Sequence, residues 1–159
     1  MSVLRLAWVV CAKDLKAEWR TKQSLNAAGA FAVTILVLFS FALDLAPEQT
    51  KELAGGLLWM VFAFVGALIL NQSFTREVPY DCLDALVVAP VSASALFLGK
   101  VLANWLLLMI VELFCLPLFT VFYNISWTAQ TPWLFLVMML ATWGMTVIGT
   151  MFSALTVNL

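Results

Sequence analysis

The fold is decided by VLANWLLLMIVELFCLPLFTV, residues 101–121, in which the only charged side chain is that of Glu112. A helix needs about 20 mostly apolar residues to cross a bilayer. Three other runs of comparable length, 27–43, 53–72 and 133–155, contain no charged residue. The sequence therefore predicts an all-α fold, a polytopic transmembrane helical bundle with four spans.

The overall composition also indicates a lipid environment. The chain is 64% hydrophobic and 11% charged, whereas soluble domains are roughly 45–50% apolar and about 25% charged. A soluble fold of this size would leave large apolar patches facing water. The net charge of -1 gives no support for nucleic-acid binding, which needs a clustered basic surface.

The sequence does not indicate a metal or cofactor site. The three cysteines, Cys11, Cys82 and Cys115, are far apart, and the chain has no CxxC motif and no histidine. Structural zinc sites, covalent haem sites and His-ligated haem sites need such groups. These sites are therefore unsupported and we predict no metal site, while ligation of haem by Met, Cys or Tyr stays open.

The basic residues are distributed unevenly between the loops. Seven of them precede the first span or lie between the second and third: Arg5, Lys13, Lys16, Arg20, Lys22, Arg76 and Lys100. Only Lys51 lies between the first and second spans. Because Lys and Arg are enriched in cytoplasmic loops, the N-terminus and the 74–100 loop are predicted to be cytoplasmic. Tyr123, Trp127 and Trp133 are then expected to mark the opposite interface, where aromatic rings concentrate.

Residues 1–26 are too charged to span a membrane, but they have a helical hydrophobic pattern. An apolar stripe recurs at spacings of three and four residues: Leu4, Trp8, Cys11, Leu15 and Trp19. Lys13, Lys16 and Arg20 fall on another face. A basic amphipathic helix with tryptophans lies in the headgroup layer of a bilayer. It is either a simple orientation anchor or an elbow helix that frames the docking surface of a partner.

The 74–100 loop reads FTREVPYDCLDALVVAPVSASALFLGK and combines charged residues with an apolar face. A solvated hairpin has no need of that apolar face, so we predict a helical element that a partner protein covers. Its residues are Arg76, Glu77, Asp81, Cys82, Leu83, Asp84, Leu86 and Pro90. Ser92 or Ser94 is expected to cap the helix that leads into the third span.

Gly99 and Lys100 do not form a phosphate-binding loop. That motif needs glycine at position 94 and Ser or Thr at position 101, where this chain has Ser94 and Val101. Any ATP hydrolysis coupled to this chain is therefore expected in a separate subunit.

Glu112 is the one ionisable residue deep in a predicted span. It lies near the bilayer midplane, where a carboxylate costs about 2.5 kcal/mol or more, so it is expected to face protein or water. It either lines a ligand path or accepts a hydrogen bond from a neighbouring helix or subunit. Pro117 removes a backbone hydrogen bond and is expected to kink the span.

The chain resembles the cytochrome c maturation protein B family, the permease subunits of haem-exporter-type ABC transporters. The resemblance rests on LNQSFTREVPYDCLDALVVAPVSASALFLGKVLANWLLLMIVELFCLPLF, residues 70–119, and on KDLKAEWR before SLNA near the N-terminus. It implies one permease domain over 1–159, with an elbow helix and with the 74–100 loop as the segment that couples to the ATPase. Family members resemble six-span permeases, so this chain is expected to lack two C-terminal spans.

The resemblance further implies a bacterial inner-membrane complex. Its partners would be an ABC ATPase subunit of the cytochrome c maturation protein A type, a haem-handling membrane subunit, a small single-span subunit and a second permease copy. ATP would be bound by the ATPase, and haem would be a handled ligand. One alternative is an exporter permease for a lipid, a polysaccharide or a drug; another is a non-transporting scaffold that releases a haem-loaded chaperone. An intramembrane enzyme would need convergent polar groups, and Glu112 alone does not supply them, so we predict that the chain is not an enzyme.

Overall fold

The structure, a computed structural model, describes residues 3–42, 47–75, 92–124 and 131–156. Five helices account for nearly all of these residues: α1 (Val3–Thr21), α2 (Gln23–Ala42), α3 (Pro47–Thr75), α4 (Ala93–Tyr123) and α5 (Thr131–Thr156). The last four are long and apolar enough to cross a membrane. The prediction of an all-α bundle with four spans is confirmed, and the described ranges contain no strand.

Successive spans run antiparallel, so the end of each helix lies at the same side of the bundle as the beginning of the next. α2 begins, α3 ends, α4 begins and α5 ends at the same side, since Ser24 bonds Gln72 and Asn104 bonds Thr150. We call this side the loop end, because residues 76–91 join α3 to α4 there. α4 begins at Ala93, eight residues before the predicted span.

The boundary between α1 and α2 falls at Lys22, earlier than the predicted end of the elbow helix at residue 26. Lys22 has a left-handed backbone conformation, with a φ angle of 52°. Glu18 supplies the physical reason: its Oε1 accepts hydrogen bonds from the backbone N–H groups of Ser24 at 2.7 Å and Leu25 at 3.0 Å. These groups have no partner within α2, so the Glu18 side chain caps the new helix.

Helix α1 packs mainly on α4. The contact is close because Gly99 faces it: a Cβ atom there would lie 2.6 Å from the Val10 Cβ and 2.7 Å from the Ala7 carbonyl oxygen. Ala7, Val10 and Cys11 are buried in this contact face. A single glycine therefore sets how near α1 lies to the bundle.

The predicted apolar stripe of α1 divides between two surroundings. Leu4, Trp8 and Trp19 are exposed on the protein surface, as expected for side chains that meet lipid. Cys11 is instead buried against α4, and Leu15 packs on the edge of the core. The predicted stripe therefore includes residues of the face that packs on the bundle as well as exposed residues.

The helices of the bundle approach closely where side chains are small. A Cβ at Gly66 would overlap the Met145 side chain, and one at Gly149 would overlap Leu70, so α3 and α5 are in intimate contact. Small residues permit such close packing of membrane helices. Tightly packed side chains from α2, α3, α4 and α5 form one continuous core.

Tyr123 is the last residue of α4, and the expectation that it marks the far membrane interface stays a prediction. It is only 8% exposed, and its hydroxyl donates a hydrogen bond to the Leu36 carbonyl of α2 at 3.3 Å. Its ring stacks at a tilt on Phe119. The polar end of the ring finds a backbone acceptor inside the protein, which removes the need for interfacial water. Trp133 is exposed, whereas Trp127 lies outside the described residues.

Both ends of α4 have capping residues. Ser92 is the N-cap, as predicted for one of two serines, and its side chain accepts a hydrogen bond from the Ala95 N–H, while Ser94 donates to the Ser92 hydroxyl. Asn124 closes the helix in a left-handed conformation, with a φ angle of 48°. Pro117 lies inside this continuous helix. The kink expected there stays a prediction.

Candidate functional site

All eight residues of the predicted docking element lie outside the described residues: Arg76, Glu77, Asp81, Cys82, Leu83, Asp84, Leu86 and Pro90. Their role as a partner interface stays a prediction. The structure does describe the two helices from which the loop extends, α3 to Thr75 and α4 from Ala93. The contacts between these two helices, at the base of the loop, therefore form the candidate site.

A buried lysine joins the two helices directly below the loop. Lys100 is only 2% exposed, and its Nζ donates to the Ser73 carbonyl oxygen at 2.9 Å. It also pairs with Asp14 of α1, with 3.3 Å between Nζ and Oδ2. A cation near the C-terminus of a helix is stabilised by the helix dipole. Lys100 thus holds the last turns of α3 while it anchors α1.

Asn104, one turn further along α4, continues the same contact. Its Nδ2 donates to the Ser73 hydroxyl at 2.8 Å and to the Thr150 hydroxyl of α5 at 2.9 Å. Both donors of the amide are thereby used. We call Asp14, Ser73, Lys100, Asn104 and Thr150 the loop-base cluster. It connects α1, α3, α4 and α5.

A small cavity borders the loop-base cluster. Its volume is about 180 Å³, and Ser24, Gln72 and Ala17 are among the residues that line it beside Lys100 and Asn104. The Ser24 hydroxyl donates to Oε1 of Gln72 at 2.9 Å, which brings α2 into the same network. All five helices therefore contribute polar side chains to this end of the bundle.

The electrostatic balance of the cluster comes from α1. Lys13 is half exposed and pairs with Oδ1 of Asp14 at 3.0 Å, on the side of the carboxylate away from Lys100. Burial, and secondarily the negative charge of Asp14, raises the pKa of the Cys11 thiol. A raised pKa keeps Cys11 as an unreactive thiol, so it packs as a small apolar side chain.

Glu112 occupies a second polar position, between α4 and α5. It is 3% exposed, and its Oε1 accepts a hydrogen bond from the Thr142 hydroxyl at 2.6 Å. Among described protein atoms its Oε2 has no hydrogen-bond partner. Of the two roles open from sequence, the geometry supplies the hydrogen bond to a neighbouring helix. A cavity of about 270 Å³ that Glu112 lines with Met109, Phe135 and other apolar residues keeps a ligand path open as an alternative.

The two interhelical bonds of α4 and α5 share one register. Asn104 meets Thr150 and Glu112 meets Thr142, so each step of eight residues along α4 matches eight along α5 in the opposite direction. Eight residues correspond to about 12 Å of helix. Buried hydroxyls on α5 follow this seam: Thr142, Thr146, Thr150 and Ser153.

Sequence reasoning missed most of the loop-base cluster. Lys100 was considered as a cytoplasmic charge and as part of a rejected phosphate loop, and Asp14, Ser73, Asn104 and Thr150 were not singled out. A signal was present in the four-residue spacing of Lys100 and Asn104, and of Thr142, Thr146 and Thr150, because such spacings put polar groups on one helix face. Within the described ranges, no three His, Cys, Asp or Glu side chains gather as a metal site would require.

The family was identified by comparison with known proteins. Residues 5–159 match the model of the CcmB protein family. The chain belongs to the CcmB family. With four helices able to cross a membrane, this CcmB chain is an integral membrane protein.

Curated relatives of this CcmB chain are named Heme exporter protein B. The Rhodobacter capsulatus protein is 29% identical over 92% of this chain and 67% of its own length. The Paracoccus denitrificans protein is 26% identical over the same shares, 92% and 67%. The Pseudomonas aeruginosa protein is 25% identical over 95% of this chain and 67% of its own length. No solved structure matches the chain.

Proposed function

We propose that this chain is the membrane permease subunit of a haem exporter complex that serves c-type cytochrome biogenesis. The observation that carries the proposal is the CcmB match over residues 5–159, which includes all four candidate spans and the intervening loop. The curated relatives have haem export in their names. Spans and loop are the parts that a permease subunit needs.

The chain depends on a separate ATPase subunit for energy. Gly99 and Lys100, the only fragment reminiscent of a phosphate loop, are used otherwise: Gly99 packs on α1, and Lys100 bonds Ser73 and Asp14. These roles leave neither residue for phosphate. The 76–91 segment, which extends from the two helices that Lys100 joins, is the contact for that ATPase.

The remaining partners follow from the family. They are a haem-handling membrane subunit, a small single-span subunit and a second copy of the permease, together in a bacterial inner membrane. The N-terminus and the loop end face the cytoplasm, because seven of the eight basic residues lie on that side and Lys and Arg are enriched in cytoplasmic loops. This orientation puts the loop where an ATPase meets its nucleotide.

Affinity purification tests the proposal most simply. Purification of this protein, tagged and expressed at its native level, is expected to recover a complex that contains an ABC ATPase and a haem-binding membrane subunit. Purification after mild cross-linking, with an unrelated four-span protein as control, detects weak partners. An ATPase without any haem-binding protein would favour a permease for another substrate, and no ATPase at all would contradict the proposal.

A further inference from the structure

We propose that the loop-base cluster is the relay that passes movement of the ATPase-bound loop to α1 and α5. The inference rests on the proposed function, because it assumes that an ATPase acts on residues 76–91. It assigns a positioning role to Asp14, Ser73, Lys100, Asn104 and Thr150, all in described helices.

A lysine buried between apolar helices needs a physical reason. Removing an ammonium group from water costs several kcal/mol, and a buried ion pair is often no more stable than well-packed apolar residues. Lys100 is nonetheless 2% exposed, in a helix that is otherwise strongly apolar. Such a group has its best-attested use in fixing one arrangement of the elements it joins. Lys100 therefore fixes position.

Ser73 is the residue that Lys100 and Asn104 hold in place. Ser73 uses both its carbonyl and its hydroxyl oxygen as acceptors, from Lys100 at 2.9 Å and from Asn104 at 2.8 Å. It lies two residues before the end of α3, and Lys100 lies in the second turn of α4. Two bonds to one residue restrain both sliding and rotation. The stems of the loop consequently move as one body.

The loop-base cluster also contacts α1 and α5. Asp14 links the cluster to α1, and the close contact of Gly99 with Ala7 and Val10 makes α1 follow the start of α4. Thr150 links the same cluster to α5. A displacement of the loop stems is thus transmitted to α1 at the protein surface and to α5 on the opposite flank.

Coupling and stability are separated by two variants. Lys100→Met leaves Asp14 without its buried partner, so it lowers stability as well as breaking the relay. Asp14→Leu combined with Lys100→Met removes both charges, which is expected to restore stability while the contact to Ser73 stays lost. Lys16→Met is the matched control, since Lys16 is an exposed lysine on α1 outside the cluster.

The experiment uses the purified complex in lipid nanodiscs. Three quantities are measured for each variant: the thermal unfolding midpoint, the amount of ATPase bound, and the ATP hydrolysis that depends on the permease. The double variant is expected to unfold near the wild-type temperature and to bind the ATPase normally. Its permease-dependent hydrolysis should fall about tenfold, the effect of losing one hydrogen bond to a charged group.

Each outcome decides the matter. Wild-type hydrolysis in the double variant, together with recovered stability, overturns the relay and leaves a packing role for Lys100. An equal fall in the Lys16→Met control overturns it as well, because the effect would then follow surface charge. Absence of bound ATPase from the wild-type complex contradicts the proposed function, and the relay with it. This result differs from failure of the relay alone, in which the wild-type complex contains the ATPase.

Discussion

At the scale of single residues, two buried polar side chains account for most of what is unusual in this chain. Glu112 and Lys100 are 3% and 2% exposed, and both are bonded to side chains or backbone of other helices. A polar group buried without a partner costs about 1–3 kcal/mol, so each is expected to be intolerant of loss of its partner. Their partners lie at least 27 positions away along the chain.

Substitution of Glu112 tests the hydrogen bond to Thr142. Glu112→Gln keeps an acceptor for the Thr142 hydroxyl and is expected to preserve cytochrome c maturation, whereas Glu112→Leu removes it and should impair assembly despite making the span more apolar. The bond is worth about 0.6–2 kcal/mol in a membrane. Holocytochrome c is measured and normalised to permease in the membrane.

A double-substitution cycle supplies the control for Glu112. If the bond to Thr142 matters, Thr142→Val should add little to Glu112→Leu. A Leu variant with wild-type yield would make Glu112 a tolerated passenger. A Gln variant as poor as Leu would point instead to a charged or proton-transferring role.

At the scale of elements, α1 packs on the bundle with one face and leaves another face exposed. Its buried face packs on α4 at Gly99, while Trp8 and Trp19 remain outside. The Glu18 side chain, near the end of α1, caps the start of α2. The role of α1, as an orientation anchor or as an elbow helix that frames the docking surface of a partner, stays a prediction.

Enlarging Gly99 is expected to displace α1. Gly99→Ala puts a methyl group within 2.7 Å of the Ala7 carbonyl oxygen, and overpacking of this kind costs about 1–3 kcal/mol. Gly29→Ala is the control, because nothing lies within 4 Å of its Cβ position. Thermal unfolding in detergent is measured for both. A Gly29 variant destabilised as much as the Gly99 variant would contradict the close contact.

The loop between α3 and α4 is predicted to contact the ATPase. Truncating Leu83 and Leu86 to alanine removes the apolar face that a partner is expected to cover, and buried anchors of this kind dominate interfaces. Permease-dependent ATP hydrolysis should be lost while membrane insertion stays intact. Unchanged hydrolysis and unchanged ATPase recruitment would rule this interface out.

Local features of the fold could be predicted from the sequence, and features that join distant residues could not. The four spans and the Ser92 cap depend on runs of neighbouring residues, so pattern alone predicts them. The Lys100 contact to Ser73 and the Glu18 cap of α2 exist only because helices fold together. The hydrogen bond of Tyr123 was not predicted for the same reason: its acceptor, Leu36, lies on another helix.

At the scale of the whole molecule, the bundle is asymmetric in its chemistry. The loop end collects the polar side chains of all five helices, whereas the interior beyond it is apolar apart from the α4 and α5 seam. The basic residues concentrate at the same end. This asymmetry is what a subunit driven from one side of the membrane requires.

Cysteine labelling of intact cells tests the orientation. A cysteine in place of Gln49, which is exposed at the far end, should react with a membrane-impermeant maleimide added outside. A cysteine in place of Gln23, exposed at the loop end, should react only after permeabilisation. Cys11 stays unlabelled because it is buried and its pKa is raised. Reaction at position 23 in intact cells would contradict the predicted orientation, because the loop end would then face outside.

The most direct test of the central claim is the amount of holocytochrome c in cells that lack this gene. Deletion is expected to abolish covalent haem attachment in periplasmic cytochromes while their apoproteins are still made, and the wild-type gene on a plasmid should restore haem staining. The double Asp14→Leu and Lys100→Met variant should be inserted but restore little. Normal holocytochrome c in the deletion strain would contradict the account.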